Sequence, residues 1–225
     1  LKFKYYDVLE FEKFTVKSIK NGSYVTTFRV QKMSEFLQKN IESFKQMLEN
    51  EIIGKDADAD DDFIDDGSKD KSFALLRAYS ELHTNVKVIS FSRNFGHQIA
   101  ITAGMDFASG DYVAIIDADL QDPPEVISEM YNQALMGFDV VYGLRRSRAG
   151  ETVFKKLTAM VFYRVINHMA NIDIPEDTGD FRLISRKVVD AFKKMPERHR
   201  FVRGMIPWLG FKVTPLEYDR AERFA

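Results

Sequence analysis

Two aspartates two residues apart, Asp117 and Asp119, stand just after the apolar run Tyr112–Ile116. Carboxylates at that spacing, just past a buried strand, can both reach one hard divalent cation, directly or through water. Mg²⁺ or Mn²⁺ held this way keeps coordination sites open for substrate phosphates. The blander reading is a pair of helix-capping aspartates ahead of Pro123 and Pro124. Two further polar clusters follow apolar runs in the same manner: Asp65-Asp66 after Phe63-Ile64, and Ser92-Arg93-Asn94 after Val86–Phe91. In open α/β sheets ligands bind beyond the carboxyl ends of the strands. Three strand ends therefore converge on carboxylates and an arginine. No glycine-rich dinucleotide fingerprint and no phosphate-loop lysine accompany them, which argues against a dinucleotide-dependent dehydrogenase or an NTPase.

Other residues invite chemistry with less force. Arg145, Arg146 and Arg148 follow a predicted strand ending at Tyr142, and a guanidinium fork suits phosphate; a solvated basic loop is the alternative. The acidic run Asp56–Asp62 superficially suits calcium, but that template wants Gly at its sixth position and Glu at its twelfth. Asp61 and Gly67 stand there, so the run reads as a solvated acidic loop. His83, His97, His168 and His199 have no metal-ligand spacing and read as structural or surface residues, with His97 alone close to the strand ends.

The elements that must position these groups follow from composition and pattern. The chain has 225 residues, 45% hydrophobic and 29% charged, enough for one sizeable globular domain. Its net charge of -2 argues against nucleic acid as partner. The absence of cysteine excludes disulfide frameworks, thiolate zinc sites and cysteine nucleophiles. No apolar stretch approaches the ~18 residues of a membrane span. The opening Leu1-Lys2-Phe3-Lys4 is no signal peptide, and its lack of an initiator methionine suits a fragment or a processed product.

Asn21-Gly22 between Phe14–Lys20 and Tyr24–Val30 predicts a hairpin, and Ser34 caps a predicted helix over 35–49. From Phe63 onward, strand and helix alternate. A strand ends at Ile64 and Ser68 caps a helix to about Leu82. Val86–Phe91 is a strand, Gly96–Ala108 helical and Tyr112–Ile116 a strand apolar throughout. Pro123 and Pro124 open a helix ending near Gly137, and Phe138–Tyr142 is a strand. Thr152–Met169 reads as a helix whose apolar stripe packs into the core, with Lys155, Lys156 and Arg164 able to face anionic headgroups. This order predicts a mainly parallel sheet with helices on both faces.

Asp65-Asp66-Gly67-Ser68, Ser92-Arg93-Asn94-Phe95-Gly96-His97, Ile116–Glu125 and Thr178-Gly179-Asp180-Phe181-Arg182-Leu183 together resemble the family 2 glycosyltransferases of GT-A fold. Within that family the resemblance is to the polyprenyl-phosphate sugar synthases, the bactoprenol glucosyltransferases and dolichyl-phosphate mannose synthases. Gln121-Asp122-Pro123-Pro124 is more similar to the bacterial group. The resemblance covers about residues 63–225. Residues 1–62 match poorly and would supply the first strand region. The family's Pro-x-Tyr-Asn-Glu is replaced after Tyr24–Val30 by Gln31-Lys32-Met33-Ser34-Glu35, where only Glu35 corresponds.

The resemblance implies an α/β GT-A domain that moves a hexose, glucose from UDP-glucose, onto a membrane polyprenyl phosphate with inversion. It implies donor contacts from Asp65, Asp66, Arg93 and Asp117, and Mg²⁺ or Mn²⁺ held by Asp119 and Gln121 with Asp117. It places Asp180 at the reaction centre, and Arg145, Arg200 and Arg203 at the acceptor and phosphate side. Asp180 would serve either as a general base or, if the acceptor is an already ionised phosphate, as an orienting carboxylate. The implied setting is the cytoplasmic face of a membrane, anchored through segments downstream of Ala225, with a homo-oligomer left open. Two alternatives stand beside it: a soluble family 2 transferase acting on a sugar hydroxyl, and a non-catalytic nucleotide-sugar-binding module.

Overall fold

The apolar runs become strands of one sheet, with Asp65, Asp117, Arg145 and Asp180 at or near strand ends. A computed structural model of the chain describes residues 8–10, 24–30, 60–84, 86–117, 121–146 and 178–220. The strands are β1 Val8–Glu10, β2 Tyr24–Val30, β3 Asp60–Asp65, β4 Val86–Phe91, β5 Tyr112–Asp117, β6 Val140–Arg145, β7 Thr178–Ser185 and β8 Val213–Tyr218. The helices are α1 Ser72–Leu82, α2 His97–Phe107, α3 Val126–Leu135, α4 Arg186–Lys194 and α5 Val202–Trp208. Among the described residues the strand order is β1-β4-β3-β2-β5-β7-β6-β8. The β4-β3-β2-β5 block is parallel, β8 runs parallel to β6, and β7 is antiparallel to both β5 and β6.

Alternate residues of the central strands feed opposite faces, which is why these strands read as continuous apolar runs. Phe63, Val88, Ala114 and Ile116 pack with Leu76 of α1 and Ile127 and Met130 of α3. On the other face Val113, Ile115 and Ile184 pack with Ile101 and Met105 of α2, Val188 and Phe192 of α4 and Ile206 of α5. Ile64 and Ile89 pack there too, against Ala100 and Ala103 of α2. The expected α/β architecture with helices on both faces is borne out, with β1, antiparallel to β4, and β7 as the strands that make the sheet mixed.

Four local readings need correction. Tyr24–Val30 is a strand, but parallel neighbours β3 and β5 occupy both its edges, so it is no hairpin arm. The acidic run does not stay in a solvated loop: β3 begins at Asp60, and Asp61 and Asp62 are buried. A central strand buries its residues whatever their charge, and Lys87, opposite Asp62 on β4, lies 3.9 Å from that carboxylate. The first helix starts at Ser72, where Asp70 accepts the backbone N–H of Ser72 at 2.9 Å; the N–H of Ser68 instead closes a turn on Asp65 at 3.1 Å. Finally, β6 runs on to Arg145, held in register against Tyr218 of β8, so Arg145 is a strand residue. The predicted helices over 35–49 and 152–169 lie outside the described residues.

Gly67 sets the spacing of two of the loops. Its φ is +67°, and a Cβ there would land on the backbone of Arg93 and 2.6 Å from the amide nitrogen of Asn94. Gly67→Ala is expected to lower the unfolding free energy by about 2–3 kcal/mol, from left-handed strain and the forced separation of the loops. Urea denaturation reads this as a lower midpoint at unchanged slope; an unchanged midpoint would refute the close approach.

Candidate active site

Antiparallel pairing that sets Ile115 of β5 opposite Arg182 of β7 brings Asp117 and Asp180 to the same level at the sheet edge. The parallel strands β3 and β4 end on the same side of the sheet, across β2, at Asp65 and Phe91. Fold topology thus assembles the strand-end cluster that the sequence pattern predicts.

Asp65 and Asp66 are both buried and join the loops to one another. The Asp65 carboxylate accepts the N–H of Ser68 at 3.1 Å and the hydroxyl of Ser90 at 2.9 Å. Asp66 accepts the N–H of Phe95 at 2.7 Å and that of Gly96 at 3.2 Å. Gly96 has φ +101° and leads into α2, so Asp66 pins the start of that helix and, with it, His97. Arg93 is exposed, donates to the Asn94 carbonyl at 3.1 Å and lies 3.9 Å over the Phe95 ring.

Asp180 is the centre of the charged cluster. Arg203 of α5 grips it with both sides of the guanidinium fork, Nε to Oδ1 at 2.9 Å and Nη2 to Oδ2 at 2.6 Å. His97 Nε2 donates to the same Oδ2. Buried Arg182 lies 3.7 Å from Oδ1 and donates to the carbonyls of Gly179 at 2.9 Å and Asp180 at 3.3 Å. Burial by itself would raise the Asp180 pKa. The hydrogen bonds from His97 and Arg203 and the charges of Arg182 and Arg203 outweigh burial and hold the carboxyl well below the usual carboxylate range.

His97 is the residue that sequence reasoning under-weighted. With Nε2 on Asp180, its Nδ1 faces Asp117 Oδ1 at 3.7 Å and has no hydrogen-bond partner. One imidazole therefore spans the two carboxylates. The signal available in sequence was its place directly after Gly96, at a helix start facing the strand ends.

The structure brings Asp117, Asp180 and Arg203 together, but it directs Arg200 elsewhere. Arg200 donates to the carbonyls of Met195 at 3.0 Å and Glu197 at 3.2 Å and lies over Phe192, closing the turn after α4. Arg145 belongs to a second cluster around buried Asp122, which lies 4.0 Å from its Nη2. Asp122 also accepts the hydroxyl of Tyr218, and Arg220 Nε at 3.2 Å.

Asp119 lies outside the described residues, and among those described no group of three His, Asp or Glu side chains could enclose a metal ion. The described donors nonetheless suit a hard cation. Asp117 offers an oxygen ligand at the strand end with its side chain 34% exposed, and Gln121 follows closely in the chain.

Removing the Asp180 charge takes from Arg182 and Arg203 the carboxylate that they share. Asp180→Asn is expected to cost about 3 kcal/mol of stability at pH 7. The folded pKa lies below the unfolded value of ~3.9, so this stabilisation is fully present above that value and is lost as pH falls through the folded one. The gap between wild type and variant should hold from pH 7 to about 5 and narrow below about 4. Thermal or urea unfolding across that range checks it, and equal stabilities at pH 7 would contradict the ion cluster.

The sequence model of a family described as "Glycosyl transferase family 2" matches residues 25–192. "Uncharacterized glycosyltransferase YkcC" of Bacillus subtilis (strain 168) is 58% identical over 163 residues, covering 72% of this chain and 50% of that protein. The "Prophage bactoprenol glucosyl transferase homolog" of Escherichia coli (strain K12) is 39% identical over 203 residues, covering 89% of this chain and 63% of that protein. The chain thus spans half to under two thirds of the length of these relatives. In fold it is similar to a mannosyltransferase from Pyrobaculum calidifontis in complex with GDP-Man and Mn²⁺, with TM-score 0.60 and 14% identity over 96% of this chain and 61% of that one. It is also similar to glucosyl-3-phosphoglycerate synthase from Mycobacterium tuberculosis in complex with Mn²⁺, UDP and glucosyl-3-phosphoglycerate, with TM-score 0.54 and 17% identity over 91% of this chain and 73% of that one. No helix among the described residues is long and apolar enough to cross a membrane.

Proposed function

This chain belongs to glycosyl transferase family 2, and from that premise we propose that it moves glucose from UDP-glucose onto a membrane polyprenyl phosphate, with inversion at the anomeric carbon. Relatives named bactoprenol glucosyl transferase support the pairing of sugar and lipid. The observation that carries the choice of acceptor is the state of Asp180. A carboxylate gripped by Arg203, His97 and Arg182 is a poor proton acceptor, because its conjugate acid is far too strong. A sugar hydroxyl needs such an acceptor. A phosphate monoester, with its second pKa near ~6, is mostly dianionic at pH 7 and needs none.

In this reading an oxygen of the acceptor phosphate attacks the anomeric carbon as the sugar–diphosphate bond breaks, and UDP leaves with the bonding electrons. No proton passes to the protein. Asp180, ionised throughout, orients the sugar and opposes the positive charge that builds at the anomeric carbon. Arg145 and Arg203 contribute positive charge on the acceptor side, and the loops joined by Asp65 and Asp66 shape the donor side with Arg93. Asp117, Asp119 and Gln121 are the residues that would hold Mg²⁺ or Mn²⁺, which when bound neutralises the leaving diphosphate. The catalytic unit works at the cytoplasmic membrane face, where its lipid substrate is displayed.

The discriminating experiment offers labelled UDP-glucose with Mn²⁺ to polyprenyl phosphate and to a panel of saccharides. Label should enter the lipid fraction; entry into saccharides alone would restore a hydroxyl acceptor. With polyprenyl phosphate, the rate should fall below about pH 6, where the acceptor protonates. The residual activity of Asp180→Asn should keep that acid limb, since Asp180 does not titrate there; loss of the limb in the variant would make Asp180 the base. Asp119→Ala should leave UDP binding that no longer rises with added Mn²⁺, measured by calorimetry. A variant as metal-responsive as wild type would remove Asp119 from the metal site.

A further inference from the structure

The second charged cluster has a geometry that the reaction as described leaves unexplained. Tyr218 is the last residue of edge strand β8, and its ring does not stay on that edge. It meets Phe181 of β7 edge-to-face, with ring centroids 5.3 Å apart, although β6 lies between β7 and β8. The crossing is open only because β6 carries Gly143 at this point. A Cβ on Gly143 would come within 2.7 Å of the Tyr218 ring and 2.9 Å of the Phe181 ring.

At the far end of this crossing the Tyr218 hydroxyl donates to Asp122, which follows the candidate metal residues Asp119 and Gln121. The same oxygen accepts from Arg145 Nε at 3.4 Å. Burial, and then the bond to Asp122, push the Tyr218 pKa up to about 12, so the hydroxyl keeps its proton at any working pH. Arg145 is thereby held from two sides, by the Tyr218 oxygen and by the Asp122 carboxylate. Its Nη2 lies 2.9 Å from where a Cβ on Gly179 would sit, so the guanidinium rests on the backbone immediately before Asp180. Two glycines, one hydroxyl and one buried carboxylate thus fix an arginine whose side chain remains 19% exposed beside the reaction centre.

We propose that Tyr218 and Asp122 are positioning residues that hold Arg145 where it receives the phosphate of the acceptor, with Gly143 providing the passage. This inference rests on the acceptor reading given above. The strut acts through Arg145 and touches neither donor nor sugar. An arginine on a flexible stem loses rotamer freedom when it binds an anion, and one already fixed does not. Loss of the hydroxyl should therefore appear as weaker acceptor binding with an intact donor site.

Tyr218→Phe keeps the ring against Phe181 and removes only the hydroxyl. Calorimetry would compare wild type, Tyr218→Phe, Arg145→Ala and the double variant, each titrated with a water-soluble short-chain prenyl phosphate and separately with UDP and Mn²⁺. Tyr218→Phe should bind the prenyl phosphate about ten-fold more weakly, as expected for one lost hydrogen bond to a charged group. UDP affinity should stay within about two-fold of wild type. In the Arg145→Ala background, Tyr218→Phe should cause no further loss, because a positioning residue has nothing left to position. Gly143→Ala, which blocks the passage, should reproduce the Tyr218→Phe defect. Unchanged prenyl phosphate affinity in Tyr218→Phe overturns the proposal, as does a full additional loss in the Arg145→Ala background. UDP affinity that falls in parallel would assign the strut to the donor loop instead. If wild type binds UDP but no prenyl phosphate, the acceptor reading itself fails, and that outcome is visible before any variant is made.

Discussion

A buried carboxylate that must remain ionised is the constraint on which the rest of the site depends. Asp180 is nearly inaccessible to water, and an isolated charge there would cost several kcal/mol. The fold meets that cost from three elements: Arg182 two residues along β7, Arg203 on α5 and His97 at the start of α2. Each donor needs its own support. His97 sits where it does because Asp66 pins the N–H groups of Phe95 and Gly96. Arg203 reaches Asp180 from the side of α5 that adjoins Val202 and Ile206, which the helix buries in the core. The helices on this face are thus selected as much by the charge on Asp180 as by the apolar core beneath them.

The same logic explains why so many polar residues here serve one another. Asp65, Asp66, Asp122 and Asp180 are all buried acceptors, and each collects donors from segments distant in sequence. Such networks fix geometry strictly, because any loosening leaves a desolvated carboxylate without its donors. Among the described candidate residues, Asp117, His97, Arg145 and Arg203 stay partly exposed and Arg93 is exposed, so these are accessible from outside.

Much of the fold is legible in the sequence because the central strands are covered on both faces. Val86–Phe91 coincides with β4, and Gly96 and Ala108 bracket α2 closely. Beyond Thr178 local signals weaken. β8 is an edge strand with Pro215 and mostly part-exposed residues, and α5 spans two turns with Pro207 inside. Asp61 and Asp62 contradict their own strand, since acidic residues mark loops by composition and only the neighbours β2 and β4 force them inside. Asp180, Arg203 and Arg145 are identifiable singly from motif and residue type. Their pairings are not, because each joins residues far apart in the chain, and the one between Tyr218 and Arg145 runs through a crossing that depends on what is missing. No pattern rule marks Gly143 or Gly179 as a passage, yet an added Cβ at either would strike the Tyr218 ring or the Arg145 guanidinium.

A transferase that joins a nucleoside diphosphate sugar to a lipid phosphate must bring two polyanions together. Like charges ~5 Å apart at an effective dielectric of ~20 repel by roughly 3 kcal/mol per pair. The chain as a whole offers no compensation, since its net charge is -2. Relief must be local, and placed so that it does not neutralise the attacking oxygen outright. Arg203 illustrates how this can be tuned. Its fork is already engaged by Asp180, which damps its positive charge, whereas Arg145 keeps Nη2 4.0 Å from Asp122, beyond a full hydrogen bond. On the acceptor reading proposed above, Arg145 is therefore the less neutralised of the two cations, and Asp180 is a fixed negative pole gripped by Arg203.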